Sequence, residues 1–236
     1  MIGRMIAALA IAMLAVPASA ERRGFSVTSF ERMIVNGPFV VRVATGGGSS
    51  GYAEGDGAAI RQISVQVTGR TLTVRRNVSD NWGGYPGEGN DGSAILYLTT
   101  PSLNQVTVVG TSDVEIDRMR AGRVVASLGG NGRLAIASID ADDVTLGVTG
   151  AGVIEAGGHA ETGRVTVQGA GMVSAEALLV ENLRVNLSGP GTIDITADRE
   201  AEIVASGNGN VMVRGDAACT DRSVGSGQIM CGGFSP

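Results

Sequence analysis

Three carboxylates, Glu115, Glu155 and Asp194, each stand five residues after a glycine, at positions 110, 150 and 189. Paired acids flanking a sugar are the machinery of glycoside hydrolysis, one protonating the leaving oxygen while the other activates water or attacks the ring. If the residues between them make two circuits of a stacked coil, successive acids fall about 10 Å apart. That is at or beyond the upper edge of roughly 6.5–9.5 Å for an inverting pair. The chain has no lysine, and no arginine is evidently placed beside these acids. His159, the sole histidine, has no Ser or Cys partner in a pattern that would make a nucleophile. It stands nine residues after Gly150, in line with Met119, Ile139 and Leu178, which predicts a packed or semi-buried imidazole. "DADD" (Asp140–Asp143) reads as a solvated turn on a loop. "GGGSSG" (Gly46–Gly51) formally fits Gly-x-Gly-x-x-Gly, but a phosphate cradle needs a helix to follow. "YAEGDGA" is poor helix, so the stretch reads as a flexible loop. The Gly-Gly-x-Gly-x-Asp pattern of a calcium roll fails at "GGNGRL", where Leu134 replaces the Asp. Neither a catalytic residue, a metal site nor a cofactor is expected.

Two sets of residues suit binding better. Tyr52, Trp82 and Tyr85 lie in two Gly-rich stretches, Thr45–Gly57 and Asn77–Gly92. Aromatics in loops on a rigid scaffold bind sugars or proteins; the alternative is that they pack over a cap. The second set is Thr107, Ser127, Thr149, Thr166, Gln168, Asn186, Ser188 and Ser206. Together they would make a flat, uncharged face of hydroxyls and amides, suited to a glycan or another chain, or else merely a soluble sheet surface.

What must position these residues is a repeat. Gly-x-Gly corners begin at Gly130, Gly150, Gly169, Gly189, Gly207 and Gly225; Gly110 belongs with them, with Ser112 in place of the second glycine. Two residues before each corner stand Val108, Leu128, Val148, Val167, Leu187, Ala205 and Ser223. Four after it stand Val114, Leu134, Ile154, Val173, Ile193, Val211 and Ile229, and six after it Ile116, Ile136, Ala156, Ala175, Ile195, Val213 and Cys231. The neighbours of these columns are mostly polar or small, so the alternation has the period of two of half-buried strands. A unit of about 18–20 residues with short strands matches one coil of a β-solenoid. A β-sandwich also has regularly spaced strands, but it does not require one residue type in one column through successive units. Before Gly110 the pattern is looser, with strands expected at Phe39–Ala44, Ile60–Val67, Thr71–Arg75 and Ala94–Thr99. Residues 25–105 are therefore expected to form opening coils or a cap with two Gly-rich loops, and residues 106–236 the regular coils of the same domain.

The first twenty residues read as a secretory leader: Arg4, an apolar run from Met5 to Val16, and Ala18-Ser19-Ala20 as the cleavage site. Its removal leaves residues 21–236 and takes the formal charge from −5 to −6. That balance opposes nucleic acid and charge-driven binding to anionic lipid. No later stretch is apolar enough to span a bilayer, so an integral membrane protein is not expected, and the product is placed in the periplasm or outside the cell. In an exported chain, Cys219 and Cys231 most simply form a disulfide, with a metal pair or free thiols as alternatives. Closing so short a loop is worth about 3 kcal/mol in the chain-entropy model.

"FERMIVNGPFVVRV" (Phe30–Val43), "LYLTTPSLNQVTVVGTSDV" (Leu96–Val114) and the serial "GNG", "GAG", "GPG" and "GSG" corners together resemble the head GIN domain family of auto-transporter adhesins. The resemblance spans about Phe30 to Cys231 and implies an all-β, right-handed parallel β-helix without catalytic residues. No C-terminal segment here would build a membrane barrel, so the chain alone does not resemble a whole autotransporter. The function expected is a non-catalytic surface-interaction module of the cell envelope, with a surface glycan or envelope protein as partner. The alternative is a pectinase-like, polysaccharide-active enzyme on the same fold.

Overall fold

The computed structural model describes residues 21–77 and 93–232. The expected leader lies outside these residues, as do Trp82 and Tyr85. The N-terminal part contains β1 (Glu21–Phe25), β2 (Arg32–Asn36), β3 (Val40–Thr45), β4 (Ser50–Gly55), helix α1 (Gly57–Arg61), β5 (Ile63–Thr68), β6 (Thr71–Arg76) and β7 (Ala94–Thr100). It continues through β8 (Gln105–Gly110), β9 (Asp113–Arg120), β10 (Arg123–Gly130), β11 (Arg133–Gly150) and β12 (Val153–Gly169). The last elements are β13 (Met172–Ser188), β14 (Thr192–Gly207), β15 (Asn210–Arg214), β16 (Ala218–Gly225) and β17 (Ile229–Cys231).

From β8 onward the strands stack in parallel, coil on coil, into two walls. The wall before the glycine corner carries Val108, Leu128, Val148, Val167, Leu187 and Ala205 in direct register. The wall after it carries Val114, Leu134, Ile154, Val173, Ile193 and Val211. All twelve are buried in one core, as alternation requires when one face of a strand is dry. Each long strand, β11 to β14, lies in the second wall at its start and in the next coil's first wall at its end. The chain is thus a parallel β-solenoid, and the corner glycines are its hinge line. Gly169 shows why: its φ is +109°, and a Cβ there would stand 2.6 Å from the carbonyl oxygen of Gly150.

The N-terminal region is more ordered than its loose pattern suggests. Strand β2 lies between β6 and β8, parallel to both, and β3 lies likewise between β7 and β9. Stack order therefore differs from chain order: the first half-coil is slotted beneath β8 and β9, and the later β6 and β7 lie outside it. The buried polar side chains among the described residues, Thr100 and Ser112, both pin this inserted segment. Thr100 Oγ1 donates to the Phe30 carbonyl at 2.5 Å and accepts from its N–H at 3.3 Å. Ser112 Oγ accepts from the Phe39 N–H at 3.2 Å and donates to the Gly37 carbonyl. This explains the serine at the second position of the Gly110 corner, because its neighbour across the stack is the inserted segment and not another regular coil. Ser112→Ala is expected to lower stability by about 1–3 kcal/mol, the penalty for stranding buried polar groups, measured as a shift in urea midpoint.

The outer edge is closed by antiparallel strands, β5 on β6, β4 on β7 and β1 on β4. Three expectations are corrected here. The stretch Thr45–Gly57 is not a loop throughout, since residues 50–55 form β4, whose pairing with β7 supplies its hydrogen bonds. A short helix does follow, α1, capped by the Asp56 side chain on the N–H groups of Ala58 and Ala59. Because β4 intervenes, that helix does not adjoin the glycines of Gly46–Gly51. Helix α1 also takes Ile60 and Arg61, so the strand expected from Ile60 starts at Ile63.

At the other end the interior columns turn polar: Cys219, Asp221 and Ser223 stack beneath Ala201, Ile203 and Ala205. Cys219 and Cys231 form a disulfide across 6.4 Å between Cα atoms. It joins β16 of the first wall to β17 of the second, stapling the last coil shut. Among the described residues no helix is long and apolar enough to cross a membrane.

Candidate functional site

The outer face of the second wall holds the carboxylates. Across the strands run Tyr52, Tyr97, Arg42, Glu115, Ala135, Glu155, Ser174 and Asp194, each beside the next. Glu115 and Glu155 lie two coils apart with Ala135 between them, as the repeat requires. Contrary to expectation, arginines stand directly beside them. Arg133 Nη2 and Nε meet the Glu155 oxygens at 2.6 and 3.0 Å, and its Nη1 reaches Glu115 at 3.3 Å. Arg42 approaches Glu115 at 2.8 Å from the other side. Arg214 grips Asp194 with two bonds of 2.8 and 2.7 Å. The pKa values of Arg133 and Arg214 are raised, first by these hydrogen bonds to Glu155 and Asp194. Nearby negative charge adds to both shifts. Arg133 and Arg214 reach their acids from adjacent coils, about twenty residues away in sequence, and Arg42 reaches Glu115 from the inserted strand β3, so no local spacing marks these pairs.

A shallow groove of about 430 Å³ lies here, floored by Ala135, Ala137, Gly157 and Ala177 and rimmed by Glu115, Glu155 and Glu176. Bidentate guanidinium contacts hold both oxygens of Glu155 and of Asp194, while Arg42 and Arg133 share Glu115 Oε1, so the acids are engaged with arginines and not presented to a sugar. His159 takes no part in it. It is exposed and pairs with Asp140 and Leu179, not with the apolar column. A bulge at this coil, which has one residue fewer than its predecessor, puts Gly158 in that column instead. Gly158 has φ +120°, and a Cβ on it would overlap the Ile139 carbonyl oxygen. The "DADD" run is likewise corrected. It lies inside β11, where Asp140 pairs with Arg120 at 2.6 Å and Asp143 with Arg123 at 3.4 Å.

Tyr52 is in a strand and half-buried. Its ring stacks on Tyr97 with centroids 4.9 Å apart and planes at 19°, and the Arg22 guanidinium covers it at 3.9 Å. Both faces of Tyr52 are thus used within the molecule, which fits packing over the cap better than an open stacking platform. Tyr97, outside the Gly-rich stretches, carried no sequence signal of this pairing.

The first wall's outer face gathers the other candidates. Thr166 pairs with Asn186, and Gln168 with Ser188, so the four form a block two strands wide. Thr149 and Ser206 extend it along the Gln168 column, and Ser127 and Thr107 lie further along the column of Thr166. One flank is not uncharged as expected: Arg164 pairs directly with Arg184. The outward sequence is therefore Arg-Thr-Gln on one strand and Arg-Asn-Ser on the next. The signal was present, since both arginines stand five residues before a corner glycine, at 169 and 189. A groove of about 350 Å³ runs between Arg164, Arg184, Asn186, Glu202 and Val204.

No curated protein matches this sequence. Solved structures do. The fold is similar to a "putative adhesin" from Bacteroides fragilis, at 18% identity and TM-score 0.76, over 90% of this chain and 98% of that one. It is similar to a "putative lipid binding protein" from Parabacteroides distasonis, at 16% identity and TM-score 0.72, covering 90% and 96%. A "putative adhesin" from the same species matches at 16% and 0.68, covering 91% and 97%. At these identities the likeness concerns the fold. The family model described as "Putative auto-transporter adhesin, head GIN domain" matches residues 29–217, nearly the whole described solenoid, and the chain belongs to that head GIN domain family.

Proposed function

We propose that this chain is a non-catalytic surface-interaction module of the cell envelope, binding a glycan through the outer face of its first wall. The observation that carries it is the block of Thr166, Gln168, Asn186 and Ser188, outward-facing side chains held in register by buried strands. Hydroxyls and amides both donate and accept, as sugar hydroxyls do. A rigid sheet presents them with little ordering entropy to lose. Export is supported by the leader-like residues 1–20 and by a disulfide, which persists in oxidising compartments.

A polysaccharide-active enzyme is less well supported, since Glu115 and Glu155 share Arg133. The name of the lipid-binding relative is not matched by the two grooves above, which are shallow and rimmed by charged side chains. The test is a glycan array with the purified chain. Binding is expected, and the double variant Gln168→Ala, Asn186→Ala should weaken it about tenfold, as loss of two hydrogen bonds predicts. Absence of any glycan binding, or unchanged affinity in the variant, removes this face from the model.

A further inference from the structure

Arg120, Arg123, Arg133, Arg199 and Arg214 each pair with an acid one coil away. Arg118, Arg222 and Arg164 have no such partner among the described residues, and of these three Arg164 alone faces another arginine in register. Its neighbours in register are Thr145 on one side and Arg184 on the other, and it has no ion pair among the described residues. Like charges directly opposed on adjacent strands, about 4.8 Å apart, destabilise a sheet. Only one of the two is relieved from within: Arg184 Nε meets Glu202 at 3.0 Å.

We propose that Arg164 and Arg184 bind the carboxylates of an acidic polysaccharide, whose neutral hydroxyls lie across Thr166, Gln168, Asn186 and Ser188. This rests on the glycan-binding reading above and narrows it to acidic sugars. The guanidinium fork matches a carboxylate with two parallel hydrogen bonds, and Arg164 has its donors open to solvent. An arriving carboxylate supplies the negative charge that the sheet omits at this position. The groove beside the pair leads from the arginines to Asn186. An anionic membrane fits less well, because lipid-binding surfaces gather roughly 4–8 basic residues and only Arg164 and Arg184 are apposed here, beside side chains that match sugar hydroxyls. A nucleic acid likewise calls for a longer basic stripe.

The experiment compares binding of oligogalacturonate and of its methyl ester, which has the same sugar skeleton without the charge, by calorimetry with the full chain. The acidic form is expected to bind about tenfold more tightly, with the preference falling as salt rises. Arg164→Gln should erase the preference and leave affinity for the ester unchanged; Arg164 supports no ion pair, so folding is retained, as circular dichroism will show. Arg164→Lys should restore part of it, keeping charge but losing the fork. Glu202→Gln, which frees Arg184, should raise affinity for the acidic form several-fold, a gain that a merely structural role does not produce. Equal binding of acid and ester overturns the inference while leaving the glycan reading intact. Binding of neither overturns both. Capture by phosphatidylglycerol vesicles that depends on Arg164, without saccharide binding, assigns the pair to membrane and also overturns it.

Discussion

Gly169→Ala is expected to destabilise the solenoid by roughly 2–4 kcal/mol, although it adds one methyl group at the surface. Two effects combine. A φ of +109° is strained for any residue with a Cβ, by about 1–3 kcal/mol. The new atom would also stand 2.6 Å from the Gly150 carbonyl oxygen, and backbone in a parallel stack gives way only by shifting the adjoining coil. Overpacking of this kind adds a further 1–3 kcal/mol. The control is Gly129→Ala, one residue before the next corner but one. A Cβ there meets nothing nearer than 3.9 Å, so its effect should stay within about 0.5 kcal/mol. Urea unfolding of the two variants checks this. Equal midpoints would mean that the corner glycines are not a steric requirement. Coils contact chiefly their neighbours, so the Gly169 variant should also broaden the transition as the halves of the stack uncouple.

Val167→Asp should have the largest effect of any single substitution considered, above about 4 kcal/mol and sufficient to abolish cooperative unfolding. Val167 is fully buried, between Val148 below and Leu187 above, in the core of the described residues. A carboxylate there has neither water nor a cation in reach, and burying an unpaired charge is among the most destabilising changes available. The adjacent substitution, Gln168→Asp, puts the same group on the exposed face and should change stability by about 0.5 kcal/mol or less. Circular dichroism and urea titration on the pair test the strand alternation itself. Comparable tolerance of both would show that this column does not face the core.

Much of this was legible before any coordinates. The columns through Val148, Val167 and Leu187 were readable because stacking places each residue on its own equivalent, so one burial requirement recurs every coil. The block of Thr166, Gln168, Asn186 and Ser188 was readable for the same reason. His159 was misplaced because a bulge at Gly158 shifts the register by one residue, and counting from a corner assumes that every coil has one length. The Arg133 bridge was missed because an ion pair depends on how side chains of different coils reach one another across the wall, which column counting does not resolve.

The sequence by itself determined the repeat, the coil length of about 18–20 residues and the buried columns. These follow from side-chain chemistry recurring at a constant interval. Only the tertiary structure decided the insertion of β2 and β3 between later strands, the arginine partners of the acids, and the apposition of Arg164 with Arg184. Burial is a property of one column and repeats along the chain. Stacking order and charge pairing are relations between segments, and the free energy that selects them arises only when those segments are in contact.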